Sequence, residues 1–158
     1  MDEIPQKKAL FLDRDGTINV DHGYVYLPQD FELIEGIVDL CRRAQDLGYL
    51  IIVITNQSGI ARGYYTEADY DKITAHMVKM FAEQGVHITD VLHCPELSGP
   101  NRKPAPGLFL QARDKHGIAM SESVSLGDKP RDAEAAQSAG CGKNFIFDGD
   151  YTPVMQAL

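Results

Sequence analysis

The chain has 158 residues, 44% hydrophobic and 24% charged, with a formal net charge of -8. That length and mix suit one soluble globular domain, 1–158, with a sizeable core. The acidic balance, with no basic stripe, argues against nucleic acid as a partner, and no apolar run approaches the roughly 20 residues of a membrane helix.

The N-terminal stretch Met1–Lys8 lacks the apolar segment of a signal peptide. Ala9-Leu10-Phe11-Leu12 reads as a buried strand. Asp13-Arg14-Asp15-Gly16-Thr17 follows where that strand ends. Two acids side by side at a strand's C-terminal end repel each other and call for a counter-ion. Mg2+ suits hard oxygen ligands, and a carboxylate so placed can attack phosphorus. A solvated Asp-Gly turn is the competing reading of the segment taken alone.

From Gly36 to Gly48, Ile37, Leu40, Cys41, Ala44 and Leu47 keep a helical rhythm closed by glycine. Leu50–Ile54 is a β-branched run typical of a central parallel strand. Thr66 reads as an N-cap with Asp69 at the capping-box position, ahead of a helix burying Tyr70, Ile73, Met77 and Phe81. Ile88–His93 is a predicted third strand. Pro106 opens a further helix that Gly117 stops. A fourth strand is predicted at Ser123–Leu126, an alanine-rich helix at Asp132–Ala139, and a fifth strand at Asn144–Phe147, with a short, loosely held tail beyond.

Alternating strands and helices imply a parallel sheet covered on both faces. Ligands of such sheets bind beyond the carboxyl ends of the strands. The residues at those ends are chemically apt: Asp13 and Asp15, then Thr55-Asn56-Gln57-Ser58-Gly59, then Arg102-Lys103-Pro104 before a helix, then Gly127-Asp128-Lys129-Pro130-Arg131-Asp132. Any one of Thr55, Lys103 or Asp128 is more often a cap, a surface charge or a turn residue. Their joint placement points to one site. An anionic substrate would need local cations here, because net charge speaks only to solubility and long-range steering. Cys41, Cys94 and Cys141, odd in number and widely spaced, do not form a disulfide framework, so a reducing cytoplasm is the expected compartment.

The set Asp13-x-Asp15-Gly16-Thr17, Thr55, Lys103 and Gly127-Asp128-x-x-x-Asp132, in that order, resembles the haloacid dehalogenase (HAD) superfamily of phosphatases. The resemblance implies an α/β Rossmann-like doubly wound fold. No large insertion follows Thr17 or Thr55, so a large cap domain is not expected. Asn19–Val25, Thr55–Gly63 and Arg102-Lys103-Pro104-x-Pro106-Gly107 are similar to the subfamily of D-glycero-D-manno-heptose 1,7-bisphosphate 7-phosphatases, and histidinol-phosphate phosphatases share much of this pattern. That subfamily usually carries a zinc loop of Cys-x-His followed by Cys-x-Cys. Cys94-Pro95-Glu96 keeps one cysteine, and the stretch to Lys103 is too short for the rest. Tetrahedral zinc needs four ligands, so zinc is not expected and Cys94 is read as a small buried hydrophobe. The shortened loop 96–101 leaves the exact sugar open.

The resemblance assigns Asp13 as the nucleophile that forms an aspartyl-phosphate and Asp15 as acid and base. It assigns Asp13, Asp128 and the Asp15 backbone carbonyl as Mg2+ ligands, and Thr55 and Lys103 as holders of the phosphoryl group. Asp132 either ligates or caps its helix and orients Lys129, the second being favoured. Asn56, Gln57, Ser58, Arg62, Arg102, His22, Tyr24 and Lys129 are the candidate substrate contacts, Arg102 for a second phosphate. The expected activity is hydrolysis of a phosphorylated sugar by a monomer, at C7 of the heptose bisphosphate. Histidinol phosphate is the alternative substrate. A slow-turnover phospho-binding module is the alternative class, against which the retained Asp15 argues.

Overall fold

A computed structural model describes residues 7–158, so most of the stretch Met1–Lys8, read for a signal segment, lies outside the described residues. Five strands form one parallel sheet in the order β3-β2-β1-β4-β5. They are β1 (Ala9–Leu12), β2 (Leu50–Asn56), β3 (Asp90–Cys94), β4 (Val124–Gly127) and β5 (Lys143–Ile146). The helices are α1 (Ile37–Asp46), α2 (Glu67–Glu83), α3 (Gly107–His116), α4 (Pro130–Ser138) and α5 (Thr152–Ala157). The expected doubly wound α/β fold is present.

β1 shows why the sheet is covered twice. Successive strand residues face opposite sides. Leu10 and Leu12 pack with Ile37, Leu40, Ile73, Met77 and Phe81, while Ala9 and Phe11 pack with Leu108, Phe109, Ala112, Ala135 and Ala136. Phe11 meets Phe109 edge-on, with ring centroids 5.1 Å apart. Tyr70, Ile73, Met77 and Phe81 are the buried residues of α2, as their spacing predicts. Thr66 caps that helix, accepting from Asp69 N while Asp69 accepts from Thr66 N. Cys94 is buried in the second cluster beside Ile54 and Phe109, as a small hydrophobe would be. Among the described residues no helix is long and apolar enough to cross a membrane.

Several boundaries differ from the sequence reading. β2 runs on through Thr55 and Asn56, which pair with His93 and Cys94, so those two polar residues belong to the ladder and do not follow it. β3 begins at Asp90, two residues later than expected. Val86 and Ile88 are buried without being part of it, and apolar burial alone does not distinguish them from strand. α4 begins at Pro130, whose fixed φ suits the first helical position.

The tail is the larger correction. Beyond Phe147 the chain is not loosely held: it forms α5, with Tyr151 and Val154 buried in the first cluster. Tyr151 stacks on Phe147 at 4.4 Å, and its hydroxyl donates to the carbonyl of Thr17 at 2.6 Å. That bond ties the chain end to the loop after β1. Tyr151→Phe should cost about 1–2 kcal/mol by leaving a buried carbonyl unpaired, or a few degrees of Tm at this size. An unchanged melting temperature would show that this bond contributes nothing to stability.

The strand order reverses between β1 and β4, because the chain crosses from β3 to β4 over the first half of the sheet. A crevice opens at such a switch point, beyond the carboxyl ends of the strands. The loops after β1 and β4 meet there.

Candidate active site

Asp13 is the first residue past β1. Its backbone N–H still donates to Leu126 of β4 at 3.1 Å, so the sheet itself sets where its carboxylate begins. Lys103 arrives from the loop before α3. It is 2% exposed, and its ammonium donates to Asp13 Oδ1 at 3.0 Å and to the Ile54 carbonyl at 2.7 Å, and pairs with Asp132 Oδ1 at 2.6 Å. A lysine so deep is held charged by these partners: the Asp13 and Asp132 carboxylates raise its pKa against the burial that lowers it.

Asp13, Asp128 and Asp132 each bring a carboxylate oxygen into a cluster within 4.8 Å, the one candidate metal cluster among the described residues. Burial pushes Asp13 up from 3.8 to about 7, against the pull of Lys103 and with the charges of Asp132 and Asp15 adding to it. Asp128 is raised as well, first by burial and then by Asp132. Crowded acids of this kind, oxygen donors only, fit a hard divalent cation. Asp132 is the most committed of the three. Its Oδ1 is paired with Lys103, and its Oδ2 accepts from the Lys129 backbone at 3.0 Å, closing the start of α4. Gly16 lets the two loops meet. At φ +85° it adopts a left-handed backbone, and a Cβ there would collide with the Asp128 carboxylate.

The crevice is a cavity of about 370 Å³. Asp13, Asp15, Tyr24, Asn56, Gln57, Ser58, Arg62, Arg102, Lys103, Asp128 and Lys129 line it, so the structure brings most of the expected residues together. Arg62, Arg102, Lys129 and Arg131 give a chain of net charge -8 a basic rim, as an anionic ligand requires. Arg102 also donates to the Glu96 carbonyl at 3.3 Å, fastening the shortened loop.

Four residues sit otherwise than the sequence reading places them. His22 is outside the lining and half exposed, 3.4 Å from Glu32. Thr55 is 1% exposed and outside the lining, so a phosphoryl oxygen would meet its hydroxyl only by displacing the side chains that cover it. Asn56 spends its amide on Lys103, donating to its carbonyl at 3.2 Å and accepting from its N–H at 3.1 Å. That clamp holds the Lys103 backbone against β2. Gln57 lines the cavity but is 3% exposed, and its amide faces inward.

Sequence reasoning assigned no role to Arg14, Asn19, Tyr65 or Arg131. Arg14 is the largest fully buried side chain among the described residues. Its guanidinium grips both oxygens of Asp15 at 3.1 Å and donates to the Val25 carbonyl at 2.6 Å. Asn19 donates to Asp15 Oδ1 at 3.0 Å. Arg131 had a signal, standing in the polar run after β4, but its neighbours Asp128 and Asp132 overshadowed it.

The arrangement offers a carboxylate at a strand end, a second carboxylate two residues on, a buried cation and a basic rim. Comparisons agree with that chemistry. The model of the haloacid dehalogenase-like hydrolases matches residues 7–140. The D-glycero-alpha-D-manno-heptose-1,7-bisphosphate 7-phosphatase of Campylobacter jejuni is 48% identical over 142 residues, 89% of this chain and 83% of that one. The D-glycero-beta-D-manno-heptose-1,7-bisphosphate 7-phosphatase of Vibrio cholerae is 44% identical over 150 residues, 89% and 81% of the two chains. Among solved structures, D,D-heptose 1,7-bisphosphate phosphatase from B. bronchiseptica, complexed with magnesium and phosphate, aligns with a TM-score of 0.80 at 29% identity, over 86% of this chain and 78% of that one. With the family model matched across most of its length and its motif residues gathered at one sheet edge, this chain belongs to the haloacid dehalogenase-like hydrolases.

Proposed function

We propose that this chain is a Mg2+-dependent phosphomonoesterase that works through an aspartyl-phosphate and removes the C7 phosphate of D-glycero-D-manno-heptose 1,7-bisphosphate. The carrying observation is the Asp13 carboxylate at the end of β1, 3.0 Å from a buried ammonium and opening on a cavity with a basic rim. The two relatives named for that reaction support the substrate.

In this reading an Asp13 oxygen bonds to phosphorus as the bond from phosphorus to the leaving oxygen breaks, which divides one hard displacement into two easier ones. Asp15 gives its proton to the leaving oxygen. It then takes one from the water that attacks phosphorus and frees Asp13. A positioned acid and base of this kind contributes roughly 10²–10⁴-fold. Lys103 and Thr55 hold the transferring oxygens, where fixed donors offset developing charge. Arg102 and Lys129 take the distal phosphate and sugar, with Ser58, Arg62 and Tyr24 around them. The carboxylates of Asp13 and Asp128 and the Asp15 backbone carbonyl would hold Mg2+, which when bound offsets negative charge on the phosphoryl oxygens. The magnesium and phosphate in the B. bronchiseptica relative support a magnesium cofactor, and the commitment of Asp132 to Lys103 supports its placement behind the ligands.

A kinetic panel tests the reading. Both anomers of the heptose bisphosphate belong in it, since the relatives carry both names. kcat/KM should be highest for one of them. A preference for histidinol phosphate would move the substrate and leave the chemistry. A phospho-Asp13 stable over many minutes would replace the enzyme with a binding module. Chelation should silence turnover and Mg2+ restore it, while Ca2+, larger and looser in coordination, should inhibit. Full activity in chelator would remove the cation from the reaction.

Arg102 gives a finer test. Arg102→Ala should hurt the bisphosphate more than a small generic monoester, mainly through KM, by about 1.5–3 kcal/mol for a lost charge-assisted bond. Equal losses on both would take Arg102 out of distal recognition.

A further inference from the structure

We propose that Gln57 is a positioning residue that aims Asp15 and Thr55 together, through an amide locked in one orientation by Arg14 and Tyr65. The proposal rests on the acid–base role given to Asp15.

Asp15 is held by four donors: Arg14 Nε and Asn19 Nδ2 on Oδ1, Arg14 Nη2 and Gln57 Nε2 on Oδ2. Among the described residues Gln57 is the one donor from outside the Asp15 loop. It stands 42 residues away, just past β2, and donates at 3.0 Å. It therefore ties the acid–base carboxylate to the sheet strand that carries Thr55.

The orientation of its amide has one solution. An arginine only donates, and an ionised carboxylate only accepts. Gln57 Oε1 lies 3.3 Å from Arg14 Nη2, whose two N–H groups it shares with the Val25 carbonyl and Asp15, while Nε2 faces Asp15. A flipped amide would set donor against donor at Arg14, and oxygen against oxygen at Asp15 whenever that carboxylate is ionised. Tyr65 reinforces this, its hydroxyl donating to the same Oε1. The Tyr65 ring lies parallel to Tyr26 at 5.2 Å and against Gly59, where a Cβ would collide with it.

The same Nε2 also donates to Thr55 Oγ1 at 2.9 Å. The Thr55 hydroxyl proton must then point elsewhere. The acceptor it finds among the described residues, the Asn56 carbonyl, is 3.4 Å away, longer than the usual O–H···O bond. The proton is left for an incoming phosphoryl oxygen. One buried amide thus sets both the acid's position and the direction in which Thr55 donates.

The leaving group tests this. An alkyl phosphate ester needs a proton on its departing oxygen, whereas dinitrophenyl phosphate does not. kcat/KM covers the first phosphoryl transfer for both. Gln57→Leu should lower both values through Thr55, and lower the alkyl ester on the order of 10-fold further through Asp15, part of what a positioned acid supplies. In an Asp15→Asn background the same change should leave the alkyl-to-aryl ratio where Asp15→Asn put it. Equal losses on both esters in the wild-type background would overturn the positioning role while leaving Asp15 as the acid. If Asp15→Asn alone leaves the ratio unmoved, the acid assignment falls and this proposal with it. Should Gln57→Leu fail to fold, Tyr65→Phe keeps the ring stack and removes only the hydroxyl. It should shift the ratio in the same direction by a smaller factor, and an unmoved ratio there counts against the proposal.

Discussion

Asp13→Asn should fold and lose turnover by at least ~10³-fold, the scale on which removal of a nucleophile acts. The amide is nearly the same shape, so Lys103 keeps Asp132 at 2.6 Å and the Ile54 carbonyl at 2.7 Å. What disappears is the oxygen that bonds to phosphorus and one charge of the cation cluster. A variant that retains a few per cent of activity with the same metal requirement would end the covalent reading.

The same substitution should stabilise the metal-free protein at neutral pH. Asp13 titrates near 7 in the fold against an ordinary 3.8, chiefly because it is buried. Between those values the folded chain holds a proton that the unfolded chain has released, so stability falls as pH rises from about 4 to about 7 and levels off above. Asparagine carries no such proton. Its metal-free form should therefore match the wild type near pH 4 and exceed it by about 1–3 kcal/mol at pH 8. Adding Mg2+ should reverse the order, since the wild type keeps the carboxylate that binds it. Thermal melts at the two pH values, with and without the cation, check both signs. Parallel curves would show that Asp13 ionises freely in the fold.

These consequences trace back to what the chain displays openly and what it hides. Asp13, Thr55, Lys103 and Asp128 were legible because each lies at the end of an apolar run or before a helix, and a parallel sheet brings such ends to one edge. Arg14 was not. A charged residue between two acids looks like a surface turn. Its burial depends on the Val25 carbonyl and on Gln57, which only the folded loops bring near. Asn56 and Gln57 read as substrate contacts because the sequence pattern sets them after the second strand, in a loop at the binding edge. Once β2 extends through Asn56, the Asn56 amide turns to the Lys103 backbone and the buried Gln57 amide to Asp15. α5 escaped for a different reason. Six residues are too few to show a period, and what holds them is Tyr151 reaching a carbonyl 134 residues away.

Lys103→Met separates the structural from the catalytic use of the buried cation. The side chain keeps its length and apolar stem and loses its charge. Two carboxylates and the Ile54 carbonyl then lose their shared partner, a side chain only 2% exposed. Breaking a buried pair from one side costs about 3–5 kcal/mol, on the order of 10 °C in Tm for a chain of this size. Without the ammonium nothing opposes the burial of Asp13, so the deficit should grow as pH rises. Mg2+ should recover part of the melting temperature, and Asp132→Asn in the same chain should recover more, because the two changes share one network. Neither should restore catalysis. Lys103 is assigned to charge that develops in the transition state, so kcat should stay down by about 10²–10³-fold on every phosphomonoester, generic ones included. If stability returns and kcat returns with it, Lys103 serves only to neutralise its neighbours. If KM alone rises, it binds substrate and transition state equally. A refolded, Mg2+-bound double variant that still cannot turn over is the outcome that keeps Lys103 in the chemistry.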